Sequence, residues 1–224
     1  MNYQPAYSRG GFVADYSADV RADFIRKVYG LLFLTLAVTV GVGALAAPLG
    51  PAIAPFTLPL FIVGIICVIA LNFARRVPVL NVALLLLFGA IQGAIFGPYL
   101  AMANDAAPGI GAEAGWTTIA VFGGLTAYVF ASRKDFSFLG GMLFVSLIAL
   151  IVAGIVMMFV HAAWASMAYC VIGILIFSGY VLYDTSQIIL RLGPEDAVVG
   201  AIALYLDFVN LFLLILDLLS LRRR

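Results

Sequence analysis

The sequence predicts an all-α membrane protein, a multi-pass bundle of seven transmembrane helices. Three observations carry this. Of 224 residues, 65% are hydrophobic and 10% charged, against about 45–50% and about 25% in soluble domains. The mean hydropathy is +1.15. The apolar residues are also gathered into runs of about 18 or more, the length a helix needs to cross a bilayer. A backbone in lipid must satisfy its own hydrogen bonds, so helices are the expected element. The composition excludes a soluble globular domain, a disordered chain and a nucleic-acid binder. Twelve Lys and Arg offset eleven Asp and Glu, which leaves no charged field to recruit a partner. Cys67 and Cys170 both lie inside apolar runs, which argues against a disulfide framework. With His161 as the single histidine, no zinc ligand set can be assembled.

The spans follow in order. Val28–Ala47 is the first, and Phe56–Ala74 the second, stopped by Arg75 and Arg76. Val79–Ala103 starts after Pro78, and Ala114–Ala131 and Phe138–Val160 follow. Trp164–Tyr183 and Val198–Leu219 complete the set, the last containing Asp207 and Asp217. Three regions result: a polar tail over 1–27, one transmembrane domain over 28–219 and a basic tail over 220–224. No short apolar core with a cleavage site precedes span one, so that span is expected to be the targeting signal.

Charge sets orientation. Arg9, Arg21, Arg26 and Lys27 precede span one, Arg75 and Arg76 follow span two, Arg133 and Lys134 follow span four, and Arg191 follows span six. The connections after spans one, three and five carry no Lys or Arg. The positive-inside bias then places the N-terminus in the cytoplasm. Seven full crossings leave Arg222, Arg223 and Arg224 outside, against that bias. Full crossing is still expected, because the last span has 22 mostly apolar residues and earlier helices usually dominate topology.

Two acids stand apart. An Asp at the centre of a spanning helix costs about 2.5–3.5 kcal/mol on insertion scales, so it is a functional candidate once a partner can be named. The helical pattern of span six continues past Asp184 to Leu192 and stops at Gly193-Pro194-Glu195-Asp196. Gly suits the position after a helix, and Pro and acids suit the first turn of the next. Spans six and seven are therefore expected to form a tight antiparallel hairpin, ending near Leu192 and restarting near Pro194. Asp184 and Asp207 then lie roughly 13 and 20 Å from the turn at 1.5 Å per residue, within reach of one another in the cytoplasmic half. Close carboxylates in low dielectric share a proton, and the upper apparent pKa of the pair rises. The same pair suits Ca²⁺, which prefers carboxylate oxygen. Arg75 or Arg76, at that end of the bundle, is placed to supply a counter-charge. Asn210, three residues after Asp207 on the same helix face, and Tyr180 are candidates to orient the carboxyls. Two blander readings stay open: Asp184 as a cap near the interface, and Asp207 in a structural hydrogen bond, for example to Tyr180.

These residues resemble a known family. Tyr183-Asp184-Thr185-Ser186-Gln187 and Leu204-Tyr205-Leu206-Asp207-Phe208-Val209-Asn210-Leu211-Phe212 closely resemble the C-terminal signature of the Bax inhibitor, or transmembrane Bax-inhibitor-motif, family. Phe24-Ile25-Arg26-Lys27-Val28-Tyr29, Phe96-Gly97-Pro98 and Ser132-Arg133-Lys134-Asp135-Phe136-Ser137 are also similar to its members, so the likeness covers nearly the whole chain. It implies a seven-helix fold with the seventh helix central, and a pH-sensitive Ca²⁺ leak channel. Asp184 and Asp207 match the paired-aspartate sensor, and Arg75, with Arg76 adjacent, matches an Arg implicated in closing. The chain departs from the family in ending on three arginines and in lacking an acid within span two.

Several functions follow as expectations. The leading one is a channel of a bacterial cytoplasmic membrane, with calcium as permeant ion, protons as regulator, the lipid bilayer as surroundings and no cofactor. A non-conducting regulator that binds another membrane protein, such as a protease, is the alternative, since some bacterial members of the family bind one. An intramembrane aspartyl protease fits poorly, because the second motif reads Leu-Tyr-Leu-Asp rather than Gly-x-Gly-Asp; no enzyme activity is expected. Proton-coupled transport lacks the internal repeat it normally shows. Gly89, Gly93 and Gly97, every fourth residue in span three, are expected to pack helices closely within the bundle.

Overall fold

The computed structural model describes residues 11–74, 77–160 and 162–223. Seven long helices are present among them: α1 (Ala18–Ala46), α2 (Thr57–Phe73), α3 (Pro78–Ala106), α4 (Ile110–Ser132), α5 (Gly140–Met157), α6 (Ala163–Leu190) and α7 (Ala197–Arg222). The described residues contain no strand. Six helical stretches are long and apolar enough to cross a membrane, and the first, Ala18–Phe73, is a single run of 56 residues that contains both α1 and α2. Large apolar side chains such as Phe33, Val40, Ile66, Val145, Ile148 and Leu175 point outward on several helices. Such a surface is stable only against lipid, and the chain is a multi-pass membrane protein.

The connection between α1 and α2 is not an open loop. It is a 3-10 turn (Ala47–Leu49), one α-helical turn (Gly50–Ile53) and a second 3-10 turn (Ala54–Phe56). Pro48, Pro51 and Pro55 each stand in the first turn of one piece. There the missing N–H costs nothing, while the ring ends the piece before it. The run doubles back: Gly43 of α1 faces Gly93 and Gly97, and Gly64 of α2 faces Phe88, Ile91 and Gln92. Both arms thus lie against the same level of α3. α1 itself begins at Ala18, ten residues before the apolar span opens at Val28, because its polar first turns need only water around them.

The seam between α1 and α3 is built on small residues. A Cβ on Gly89 would stand 2.7 Å from Thr35 Cγ2, and one on Gly93 or Gly97 would collide with the carbonyl oxygen of Thr39 or Gly43. At this closeness Thr39 Oγ1 reaches the carbonyls of Thr35 and Gly89, both at 2.9 Å, and the Tyr205 hydroxyl at 2.8 Å. One threonine therefore joins α1, α3 and α7. The fourth-residue glycines of span three pack inside the bundle, as expected.

α7 is the most enclosed helix. Of its apolar window 61% is buried, against 11–39% in the other five stretches. It packs on α6, α1 and α4, and at its end Arg223 pairs with Glu113 in the first turn of α4. α7 therefore runs from the α6–α7 turn to the opposite end of the bundle. The turn is longer than the sequence suggested. α6 stops at Leu190 and α7 starts at Ala197, not near Leu192 and Pro194. Pro194 disfavours helical geometry at Gly193, and the Gly193 N–H donates to Asp196 Oδ2 at 3.2 Å, so Gly193–Asp196 closes as a turn. The preceding tail docks there, with Val13 N–H donating to Leu192 O at 2.8 Å.

Replacing Gly93 by Ala should destabilise the protein by about 1–3 kcal/mol, the usual cost of overpacking. Gly123→Ala has open space around it and should be neutral or stabilising by up to about 1 kcal/mol through helix propensity. Unfolding of the purified protein in detergent measures both, and equal behaviour of the two variants would refute the close seam.

Candidate functional site

The hairpin of α6 and α7 brings Asp184 and Asp207 together. Asp184 lies six residues before the end of α6, and Asp207 ten residues after the start of α7. The two carboxyls are in side-chain hydrogen-bond contact. Asp207 is 3% exposed, and its Oδ2 is buried without a donor from the protein. Asp184 is partly buried. Tyr180, one turn before Asp184, lies close enough to feel both charges, and Tyr183 lies close to Tyr180. The sequence expectation that the two acids meet is met by the geometry.

The supporting roles are less uniform. The amide of Asn210 donates to the Leu206 carbonyl of its own helix at 2.8 Å. Arg75 and Arg76, expected as counter-charges, lie outside the described residues. Among the described residues the ion pairs are Arg26–Asp23, Arg191–Asp135 and Arg223–Glu113, and none involves the carboxyl pair. Nor does any group of three or more His, Cys, Asp or Glu come together there. Two carboxyls alone fall short of the six to eight oxygens Ca²⁺ takes, so the rest would come from water, hydroxyls or carbonyls.

Cavities follow α7 on both sides of Asp207. One of about 190 Å³ is lined by Val198, Ile202 and Leu206, among others. An apolar one of about 570 Å³ is lined by Val209, Phe212, Leu213 and Leu216 of α7 together with residues of α1, α3 and α4. Beyond it, cavities of about 760 and 520 Å³ share Tyr99 and Asp217. Ile202, Leu206, Val209, Leu213 and Asp217 recur at three- and four-residue spacing and so form one stripe of the helix. The Tyr99 hydroxyl donates to Asp217 Oδ1.

At the hairpin end, the loop after α4 is fastened to α6. Arg133 adopts a left-handed conformation (φ 51°) that ends α4. Arg191 then donates to Asp135 Oδ2 and to Ser137 Oγ, each at 2.9 Å. Ser186 Oγ accepts from the Phe136 N–H at 3.2 Å. Sequence reading missed this brace, and it missed the Thr39–Tyr205 contact. Thr35 and Thr39, four apart on one face of α1, are the signal that was available for the second.

Residues 21–224 match the family model described as inhibitor of apoptosis-promoting Bax1. Bax inhibitor 1 of Schizosaccharomyces pombe is 36% identical, over 93% of this chain and 80% of that protein. Protein lifeguard 4 of Mus musculus is 33% identical, over 96% of this chain and 91% of its own length. An uncharacterized protein of Campylobacter jejuni is 34% identical, over 97% and 96% of the two chains.

The Ser137 backbone N–H, then the side chains of Arg191 and Ser137, hold the Asp135 carboxyl below its ordinary range. A lowered folded pKa gives stability that is present above the unfolded value, about 3.9. It is lost only as pH falls through the still lower folded value. Asp135 thus stays ionised between pH 5 and 8. Asp135→Asn should lower the thermal unfolding temperature equally at both pH values, and a loss that differs between them would locate a pH response at this brace.

Proposed function

The chain belongs to the Bax inhibitor family, and on that basis we propose that it is a pH-sensitive calcium leak channel gated by protonation of Asp184 and Asp207. The single observation that carries the reading is the contact between these two carboxyls on neighbouring helices, one of them 3% exposed. Two anions facing each other in so dry a place repel strongly, so the contact needs at least one proton. With one proton the pair carries a single negative charge. That charge can hold a cationic residue, for which Arg75 or Arg76 is proposed, across from α2. A second proton neutralises the pair and releases the hold. The cavities above and below Asp207 on one stripe of α7 support a conduction path that opening would join at this level.

On the same reading the first helical run crosses the membrane twice, giving seven crossings with α7 central. The reversal at Ala47–Phe56 and the burial of α7 support that arrangement. The N-terminus lies in the cytoplasm and the membrane is a bacterial cytoplasmic membrane. The chain is then not an enzyme and needs no cofactor. Calcium is its cargo, and Asp217 with Tyr99 stands at the outer mouth.

The test is Ca²⁺ flux into vesicles containing the purified protein, across roughly pH 6 to 8, where a coupled carboxyl pair can titrate. Flux should rise as pH falls. Asp184→Asn and Asp207→Asn, which fix a neutral partner, should flatten that dependence. A pH profile unchanged in both variants removes the pair from the mechanism. Absence of flux at every pH favours the alternative, a non-conducting regulator bound to another membrane protein.

A further inference from the structure

The end of the bundle opposite the hairpin turn carries a pocket that the proposed conduction path does not use. It is the cavity of about 520 Å³ beside Asp217. Asp217, Ser220 and Arg223 line it at three-residue intervals along the end of α7, and Ser166 and Tyr169 line it from the first two turns of α6. Arg223 also pairs with Glu113 of α4. A second cavity, of about 420 Å³, lies between α5 and α6. Met157 and Tyr169 line both cavities, so pocket and groove meet at these two side chains. Away from the pocket the groove follows Ala153, Ala149 and Ser146 on α5, and Ala168, Ile172 and Ile176 on α6. The three- and four-residue spacing places each set on one face of its helix. Tyr169 holds the gap open. Its hydroxyl stands 3.0 Å from the place a Cβ on Gly154 would take, so the side chain reaches across from α6 to α5, and the alanines are too short to close the space.

Length shows what fits the groove. From Trp164 to Ile176 is twelve residues, about 18 Å of helix. The hydrocarbon core of a bilayer is about 30 Å thick, so one leaflet is about 15 Å. The groove starts beside Trp164, exposed at the head of α6 as an interfacial Trp is, and stops near the midplane. A partner's spanning helix would need a groove of full bilayer length, whereas an acyl chain needs one leaflet. Charge shows what fits the pocket. A guanidinium suits a phosphate, but Asp217 in the pocket and Glu113 beside Arg223 both repel a headgroup with net negative charge. A headgroup with a phosphate and an ammonium matches both signs. A carboxylate has about four lone-pair sites and hydroxyl oxygens also accept, so N–H donors of a primary ammonium are answered here, and a choline group has none to offer.

We propose that groove and pocket together bind one phospholipid with an ethanolamine headgroup, drawn from the leaflet opposite the hairpin turn. One acyl chain lies between α5 and α6, the phosphate meets Arg223, and the ammonium meets Asp217 and the serine hydroxyls. The site stands apart from the reading of Asp184 and Asp207 as a sensor and holds whether or not the protein conducts.

The experiment uses the full chain in vesicles of phosphatidylcholine. These carry a trace of phosphatidylethanolamine or of phosphatidylglycerol, each with the same diazirine in its acyl chain. After irradiation, mass spectrometry of the peptides maps the label. The ethanolamine lipid should label 146–157 and 164–176 several-fold more than the exposed Phe61, Ile62 and Ile66 of α2, and several-fold more than the glycerol lipid does. Ala168→Phe, which fills the groove, should cut that labelling several-fold, and Ala153→Leu gives the same readout from α5 should the first variant fail to fold. Asp217→Asn should bring the ratio of the two lipids towards one. Label spread evenly over the lipid-facing helices overturns the site, and equal labelling by both lipids in the unaltered chain overturns the headgroup. Protection of the groove from both lipids means that a second copy of the chain covers it, and overturns the proposal as well.

Discussion

The contact between Asp184 and Asp207 constrains the rest of the bundle. A carboxyl inside an apolar helix array is costly, and a second one against it is tolerable only with a proton between them. Holding the two in register requires that α6 and α7 neither slide nor rotate. The turn between them does this with short connections: the Gly193 N–H on Asp196, Val13 docked on Leu192, and Arg191 braced on Asp135 and Ser137. All lie at the hairpin end of α6, which carries Asp184.

The other fixed point is the glycine seam. Where Gly89, Gly93 and Gly97 let α1 approach α3, the backbone carbonyls come within reach of Thr39, and Thr39 in turn bonds Tyr205. Tyr205 is fully buried, stacks edge-on against Phe88 and stands two residues before Asp207. The acid-bearing helix is thus anchored on one side by a polar bond to α1 and on another by the hairpin with α6. Between these anchors it is flanked by cavities, so movement of α7 or its neighbours at the level of Asp207 has space to occur.

Legibility in the sequence varied by residue for physical reasons. Helical spans were readable because lipid imposes the same demand on every segment, and Asp184 and Asp207 were readable because an acid in such a segment is anomalous. The end of α6 was placed two residues too far, since Gly-Pro-Glu-Asp suits both a helix start and a turn, and a side-chain bond from Asp196 decides between them. Asn210 lies on the face expected of an orienting residue, and one N–H of its amide bonds the Leu206 carbonyl of its own helix. The link between α1 and α2 was read as a gap between spans, although its three prolines only divide it into helical turns. The polar pocket that joins Met102, Ser166 and Asp217 left no mark in sequence, because residues far apart in the chain build it.

The sequence by itself determined that this is a helical membrane protein, roughly where its helices lie, and that two acids near its end need each other. These follow from length, hydropathy and the cost of charge in lipid, all of which act locally along the chain. Tertiary structure alone decided which helices touch, that α1 and α2 both lie along α3, that Tyr99 meets Asp217, and which polar groups remain without partners. Helix faces in such a protein are apolar all round, so periodicity carries little information about neighbours. Close packing of small residues and the closure of individual hydrogen bonds supply it instead.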